Sequence, residues 1–147
     1  MATTRIGRAS WSGDLLSGAG MVTAGTTGVF RDLPTTWASR TGEPAGVTSP
    51  EEMLAAAHAS CYSMACSNIL AKAGTPPTRL DVEVAVTADR RESGWTVIAA
   101  HITVHGIVPG ATAESFASAA AEAKDSCPIS KALKGNVELS VEAILEG

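Results

Sequence analysis

Residues 49–74, SPEEMLAAAHASCYSMACSNILAKAG, read as one long helix with both ends written into the sequence. Ser49 is a good N-cap, Pro50 takes the first helical position, and Glu52, three residues after Ser49, completes a capping box. Glu51 and Glu52 face the positive end of the helix dipole. Gly74 supplies a C-terminal stop and Pro76-Pro77 prevent continuation. The span exceeds twenty residues, or about 35 Å at 1.5 Å per residue. Small and apolar residues occur all round it, so burial on most sides is expected. The same helix carries Cys61 and Cys66, two of the three cysteines in the chain.

The flanking sequence organises around this helix. Before it, residues 3–14 and 18–30 have the turn glycines and β-formers of strands. Residues 31–49 read as a long irregular loop, and long loops in small domains are often functional. After it, residues 80–89 alternate Leu80, Val82, Val84 and Val86 with polar or small residues, and residues 95–108 alternate less cleanly. RRESG between them is a hairpin turn. A second helix is expected over residues 113–125, a third from Pro128 to near Gly135, and a last strand over residues 137–145. Strands and helices in separate runs indicate an α+β fold in a single domain spanning residues 1–147.

Composition narrows the function. The 147 residues are 45% hydrophobic and 18% charged, with a net charge of -4. No Lys/Arg cluster is dense enough to track a phosphate backbone, so nucleic acid is not the expected partner. No segment reaches the roughly 18 apolar residues of a membrane span, and the N-terminus has no apolar signal region. A cytoplasmic location follows, where three cysteines do not form a disulfide framework.

Two readings of the thiols remain open on residue chemistry alone. Cys61 and Cys66 lie about 7.5 Å apart along the helix axis and point in different directions, which excludes a bridge between them on an intact helix. Cys127 precedes Pro128 at a helix start, where a thiol pKa is lowered. Any of the three can instead be a small buried hydrophobe, and Cys66 is best read so. His58 shares a helix face with Cys61. That pairing permits a Cys/His hydrolase, but a core histidine is the plainer reading because no orienting Asn or Asp is evident. His101 and His105 fall on one face of a strand, with no CxxC or HExxH spacing for a metal. GAG and GTTG lack the context of a nucleotide loop. By themselves Arg40 reads as a solvated loop residue and Glu51 as a residue serving the helix dipole.

SPEEMLAAAHASCYSMA and, some sixty residues later, AKDSCPISKAL together resemble the OsmC/Ohr family of thiol-dependent hydroperoxide reductases, nearest to its OsmC branch. RASWSGD, SRTGE and the alternating strands extend the resemblance over nearly the whole chain. The departure is Ser49, where the family has Asn; both cap helices well. The resemblance implies antiparallel sheets around a long buried central helix in an intertwined homodimer. It implies an antioxidant stress protein in which Cys61 attacks an organic hydroperoxide and Cys127 resolves the resulting sulfenic acid as a disulfide. A dithiol, for instance a lipoylated protein, then restores the thiols. By motif, Arg40 stabilises the Cys61 thiolate and Glu51 holds Arg40 through a bidentate pair. No metal, haem or flavin cofactor is expected.

Glu51 and Cys61 are ten residues apart on one helix, about 15 Å. An arginine held by Glu51 therefore has difficulty reaching Cys61 of its own chain, which favours a site shared across a homodimer. Met53, Leu54, Met64, Phe30 and Trp37 are candidates for an apolar rim selecting alkyl peroxides. A non-catalytic dimeric binding protein of the same fold is the rival reading.

Overall fold

A computed structural model describes all residues 1–147 as two compact units, Met1–Met53 and Leu54–Gly147. The first carries a three-stranded antiparallel sheet of β1 (Gly7–Ser12), β2 (Ala19–Ala24) and β3 (Leu33–Thr35) in that order. Trp11 lies opposite Gly20. A Cβ at Gly20 would stand 2.7 Å from the Trp11 ring, so glycine is what lets the indole lie across β2. The indole N–H donates to Gly13 O at 3.0 Å and closes the turn that Gly13 permits with φ +89°.

The expected irregular segment 31–49 contains more order than its composition shows. β3 is followed by a short helix, α1 (Trp37–Thr41). Thr36 and Ser39 form a reciprocal capping box at its start, and Ser39 Oγ also donates to Thr48 O at 3.1 Å. One buried hydroxyl thus ties both ends of the loop and fixes α1, with its Arg40, beside the next helix. Periodicity could not show this, because one helical turn has too few residues to carry a pattern.

That next helix, α2, covers Pro50–Lys72. Ser49 caps it as expected, accepting from Glu52 N at 3.2 Å, but the Glu52 carboxylate takes the Thr48 hydroxyl. Its C-terminus is a Schellman motif: Thr75 N–H bonds Leu70 O and Gly74 N–H bonds Ala71 O, each at 3.0 Å, with Gly74 at φ +84°. Burial on most sides is not what this chain provides. One stripe, His58, Tyr62, Cys66 and Leu70, is buried, whereas Ala56, Ala57, Ser60, Met64 and Asn68 are exposed.

In Leu54–Gly147 the sheet order is β4 (Arg79–Arg91), β5 (Gly94–Ile107), β6 (Glu138–Leu145). β4 and β5 form the expected antiparallel hairpin, but β6 joins β5 in parallel. The reason is the chain between them. Helices α3 (Ala113–Ser126) and α4 (Pro128–Leu133) make a crossover instead of a hairpin return. Ala100, Ile102 and Val104 of β5, Val84 of β4, Phe116, Ala119, Ala120 and Ala123 of α3, and Tyr62, Cys66 and Leu70 of α2 form one apolar core. Tyr62 Oη, inside it, donates to Ala120 O at 2.9 Å, so even the phenol is satisfied.

Every buried apolar side chain belongs to this second unit; none lies in Met1–Met53. Gly106 sets its tightest packing, because a Cβ there would meet the buried Phe116 ring at 2.5 Å. Gly106→Ala is expected to lower the unfolding free energy by about 1–3 kcal/mol. Urea titration at fixed protein concentration checks this through the midpoint, with an unchanged slope.

Candidate active site

The rotation of α2 gives its two thiols different fates. Successive residues turn by about 100°, which puts Cys66 within the buried stripe and Cys61 about 60° from His58 at its margin. Cys66 is fully buried and burial pushes its thiol up to about 11, only partly offset by Tyr62. A thiol there is an unreactive core residue, as the sequence suggested. Cys61 is half-buried and packs at the edge of the core.

Cys61 meets α4 rather than Cys66. It packs against the core that contains Cys127, and both the Ile129 N–H and the Cys127 thiol are near enough to act on its sulfur electrostatically. Cys127 is the residue between helices: its N–H closes α3 on Ala123 O at 2.9 Å, its carbonyl accepts Lys131 N–H at 2.9 Å, and Pro128 follows at the α4 start. Ile129 N–H is one of the donors that a helix start leaves without an intrahelical acceptor. All three cysteines are free thiols. The Cys61 pKa is raised, first by burial and then by the adjacent Cys127, while Ile129 N–H opposes the rise. The pair is a dithiol of neighbouring thiols. A raised pKa disfavours the thiolate of Cys61.

His58 and Ser130 lie one turn from these cysteines. His58 is fully buried, and its Nε2 meets Ser130 Oγ at 2.8 Å. Burial lowers the His58 pKa and keeps the ring neutral. Its Nε2 engages Ser130, and no hydrogen bond joins the ring to Cys61, as a Cys/His nucleophile pair would require. Sequence reading gave no role to Ile129 or to Ser130, although Ser130 falls in the AKDSCPISKAL motif that carries the resemblance. The signal for Ser130 was its spacing of three from Cys127, and for Ile129 none exists, because a backbone N–H is common to nearly every residue.

Within Met1–Met53 the structure brings Arg40 and Glu51 together. Arg40 Nε lies 2.8 Å from Glu51 Oε1, with side chains 31% and 11% exposed, and the guanidinium carbon stands 5.7 Å from the Trp37 ring centroid. Arg40 is therefore an anchored cation rather than a solvated loop residue. It opens on a groove of about 350 Å³ lined by Trp11, Leu15, Thr35, Thr36, Trp37 and Pro50. Trp37 was foreseen as apolar rim. Trp11 and Leu15, distant in sequence, were not.

The remaining histidines serve the sheet surface. His101 Nδ1 contacts Ser140 Oγ at 2.7 Å and His105 Nδ1 contacts Glu146 Oε1 at 2.8 Å. No group of three or more His, Cys, Asp or Glu is placed to hold a metal ion. No helix is long and apolar enough to cross a membrane.

Residues 42–142 match the family described as OsmC-like protein. The chain is 34% identical over 142 residues to Peroxiredoxin OsmC of Escherichia coli (strain K12), covering 97% of this chain and 98% of that one. Its fold is similar to the organic hydroperoxide resistance protein OsmC of Legionella pneumophila, with TM-score 0.71, 23% identity and 98% coverage of both chains. It also matches the organic hydroperoxide resistance protein OhrB of Bacillus subtilis, with TM-score 0.72, 22% identity, and 94% and 97% coverage of this chain and that one. With the family matched over most of its length and a relative of this identity aligned almost end to end, the chain belongs to the OsmC family.

Proposed function

We propose that this chain is a thiol-dependent peroxidase that reduces organic hydroperoxides to alcohols. The observation that carries the reading is the placing of the free Cys61 and Cys127 thiols as neighbours at the start of α4, in a chain 34% identical to a peroxiredoxin. The Cys61 thiolate attacks the terminal oxygen of ROOH; the O–O bond breaks, and with one proton the products are ROH and a Cys61 sulfenic acid. The Cys127 thiol then attacks that sulfur, forming the Cys61–Cys127 disulfide and releasing water. A dithiol, such as that of a lipoylated protein, returns both cysteines to thiols by exchange. Three unpaired cysteines suit a reducing, cytoplasmic setting.

Burial acts against the thiolate that the first step requires. In this reading Arg40 supplies the missing charge and orients the peroxide, and Glu51 holds Arg40. The groove beside Arg40, with its Trp11, Leu15, Trp37 and Pro50 walls, suits an alkyl tail. Met53, Leu54, Met64 and Phe30 extend the apolar rim.

The site is further proposed to combine residues of two protomers of a homodimer, each a single domain of residues 1–147. Met1–Met53 has no buried apolar side chain, yet Trp11, Leu15, Leu16, Met21 and Val29 are exposed. A unit of this size cannot be held by the hydrophobic effect without a cover. The exposed face of α2, with Ala56, Ala57 and Ser60, permits close approach of a second helix. Sedimentation at micromolar concentration is expected to give a dimer; a fully active monomer overturns this arrangement.

Reduced protein treated with cumene hydroperoxide is expected to lose two hydrogens in intact mass, with peptide maps joining Cys61 to Cys127. No mass change defeats the peroxidase and favours a non-catalytic binding protein. Cys61→Ser is expected to abolish turnover, and Cys66→Ser to leave it nearly intact.

Arg40→Met is expected to lower the single-turnover rate at pH 7 by about 10²-fold, the scale of removing a preorganised charge partner. The pH profile should also move. The thiolate is the reactive form and burial raises its pKa, so the rate climbs with pH. Without Arg40 the midpoint of that climb shifts to higher pH. A profile unchanged in Arg40→Met removes this residue from the mechanism.

A further inference from the structure

The two thiols are not the only link between α2 and α4. His58 stands three residues before Cys61, and Ser130 three residues after Cys127. The pairs Cys61–Cys127 and His58–Ser130 are therefore two rungs about one helical turn apart, roughly 4.5 Å, joining the same two helices in opposite sense. The outer rung is a 2.8 Å contact between two side chains exposed by 0% and 1%. It joins residues 72 positions apart.

We propose that His58 and Ser130 are positioning residues that hold Cys127 against Cys61, so that a sulfenic acid on Cys61 is captured as a disulfide before a second peroxide reaches it. This rests on the peroxidase reading for its consequence, but not for its geometry.

The chemistry of the ring supports the assignment. His58 Nδ1 is buried with no hydrogen-bond partner. The tautomer with its proton on Nε2 places the hydrogen on the one nitrogen that has an acceptor, Ser130 Oγ. Burial keeps the ring neutral, so the bond persists through the neutral pH range in which the thiols react. A polar contact without water around it is strong and directional, and it costs stability when broken. The placement also matters because α4 is only six residues long. A single turn and a half, starting at a proline and following a residue that ends the previous helix, has few bonds of its own to resist rotation. Ser130 is the buried polar residue on that turn.

Two chemical steps compete at the Cys61 sulfenic acid. Attack by Cys127 releases water and gives the disulfide. Attack on a second ROOH gives ROH and a sulfinic acid, which carries two added oxygens and is not reversed by a dithiol. The first step depends on how much of the time Cys127 faces Cys61; the second does not.

Ser130→Ala removes only the hydroxyl and is the primary test. Loss of one net hydrogen bond corresponds to about 2- to 10-fold in the population of the facing arrangement. With excess cumene hydroperoxide, the sulfinic share of Ser130→Ala in intact mass is expected to rise by that factor, while the rate of the first oxidation stays as in the unaltered protein. His58→Gln, whose amide N–H can reach Ser130 in place of Nε2–H, is expected to restore the ordinary partition. Gly106→Ala, destabilised elsewhere in the core, should leave the partition unchanged. Equilibration with reduced and oxidised dithiothreitol gives a readout without peroxide: the Cys61–Cys127 disulfide should be less favoured by the same factor in Ser130→Ala.

A partition and a dithiothreitol equilibrium in Ser130→Ala equal to those of the unaltered protein overturn the proposal. So does an equal change in Gly106→Ala, which would reveal general loosening. If the unaltered protein fails to react with peroxide while Ser130→Ala still weakens the disulfide, the peroxidase reading falls and the positioning role stands.

Discussion

The four-residue spacing of His58, Tyr62, Cys66 and Leu70 is the constraint on which the arrangement of α2 depends. Residues four apart on a helix share a face, so this stripe fixes the rotation of α2 against the core. Tyr62 locks it through the hydrogen bond to Ala120 O. Once that rotation is set, Cys66 is committed to the interior and Cys61 to its margin. A cysteine at the margin keeps contact with another helix and gains access from outside, which a core position excludes. The same rotation sends His58 inward to Ser130, so packing and polar pairing arise from one stripe.

Burial and reactivity oppose each other at Cys61. Removing a thiol from water disfavours its ionised form, and a neighbouring sulfur adds to the penalty. The chain offsets part of this with the Ile129 N–H at the start of α4. The larger compensation is the one proposed for Arg40, a cation held by Glu51 and placed over the Trp37 ring. The price of holding the guanidinium so closely is a loop of unusual order for its composition, built on Thr36, Ser39 and Thr48.

The two units differ in how they are stabilised. Leu54–Gly147 has a continuous apolar core from sheet and helices, whereas Met1–Met53 relies on backbone pairing, turn hydrogen bonds and capping while leaving large apolar side chains open. Apolar exposure of this kind marks an interface. The second copy proposed above would cover both these side chains and the small-residue face left open on α2.

Much of this was legible in the residues. The ends of α2, the β4–β5 hairpin, α3, α4 and the last strand follow from caps, proline and glycine stops, and alternation, because these signals act within a few residues of where they are written. The separation of Cys61 from Cys66 followed from helix geometry, and the expectation that Cys61 works with Cys127 came from a family resemblance. Other features depended on groups far apart in sequence or on the backbone. The parallel placement of β6, the order inside residues 31–49, the Ile129 N–H on Cys61 and the His58–Ser130 contact leave no local pattern. The sequence by itself determined the elements and the residues capable of chemistry, since capping, periodicity and side-chain type are local properties. Only the tertiary structure decided how far each thiol is buried and what surrounds it, because burial and contact belong to the packed chain.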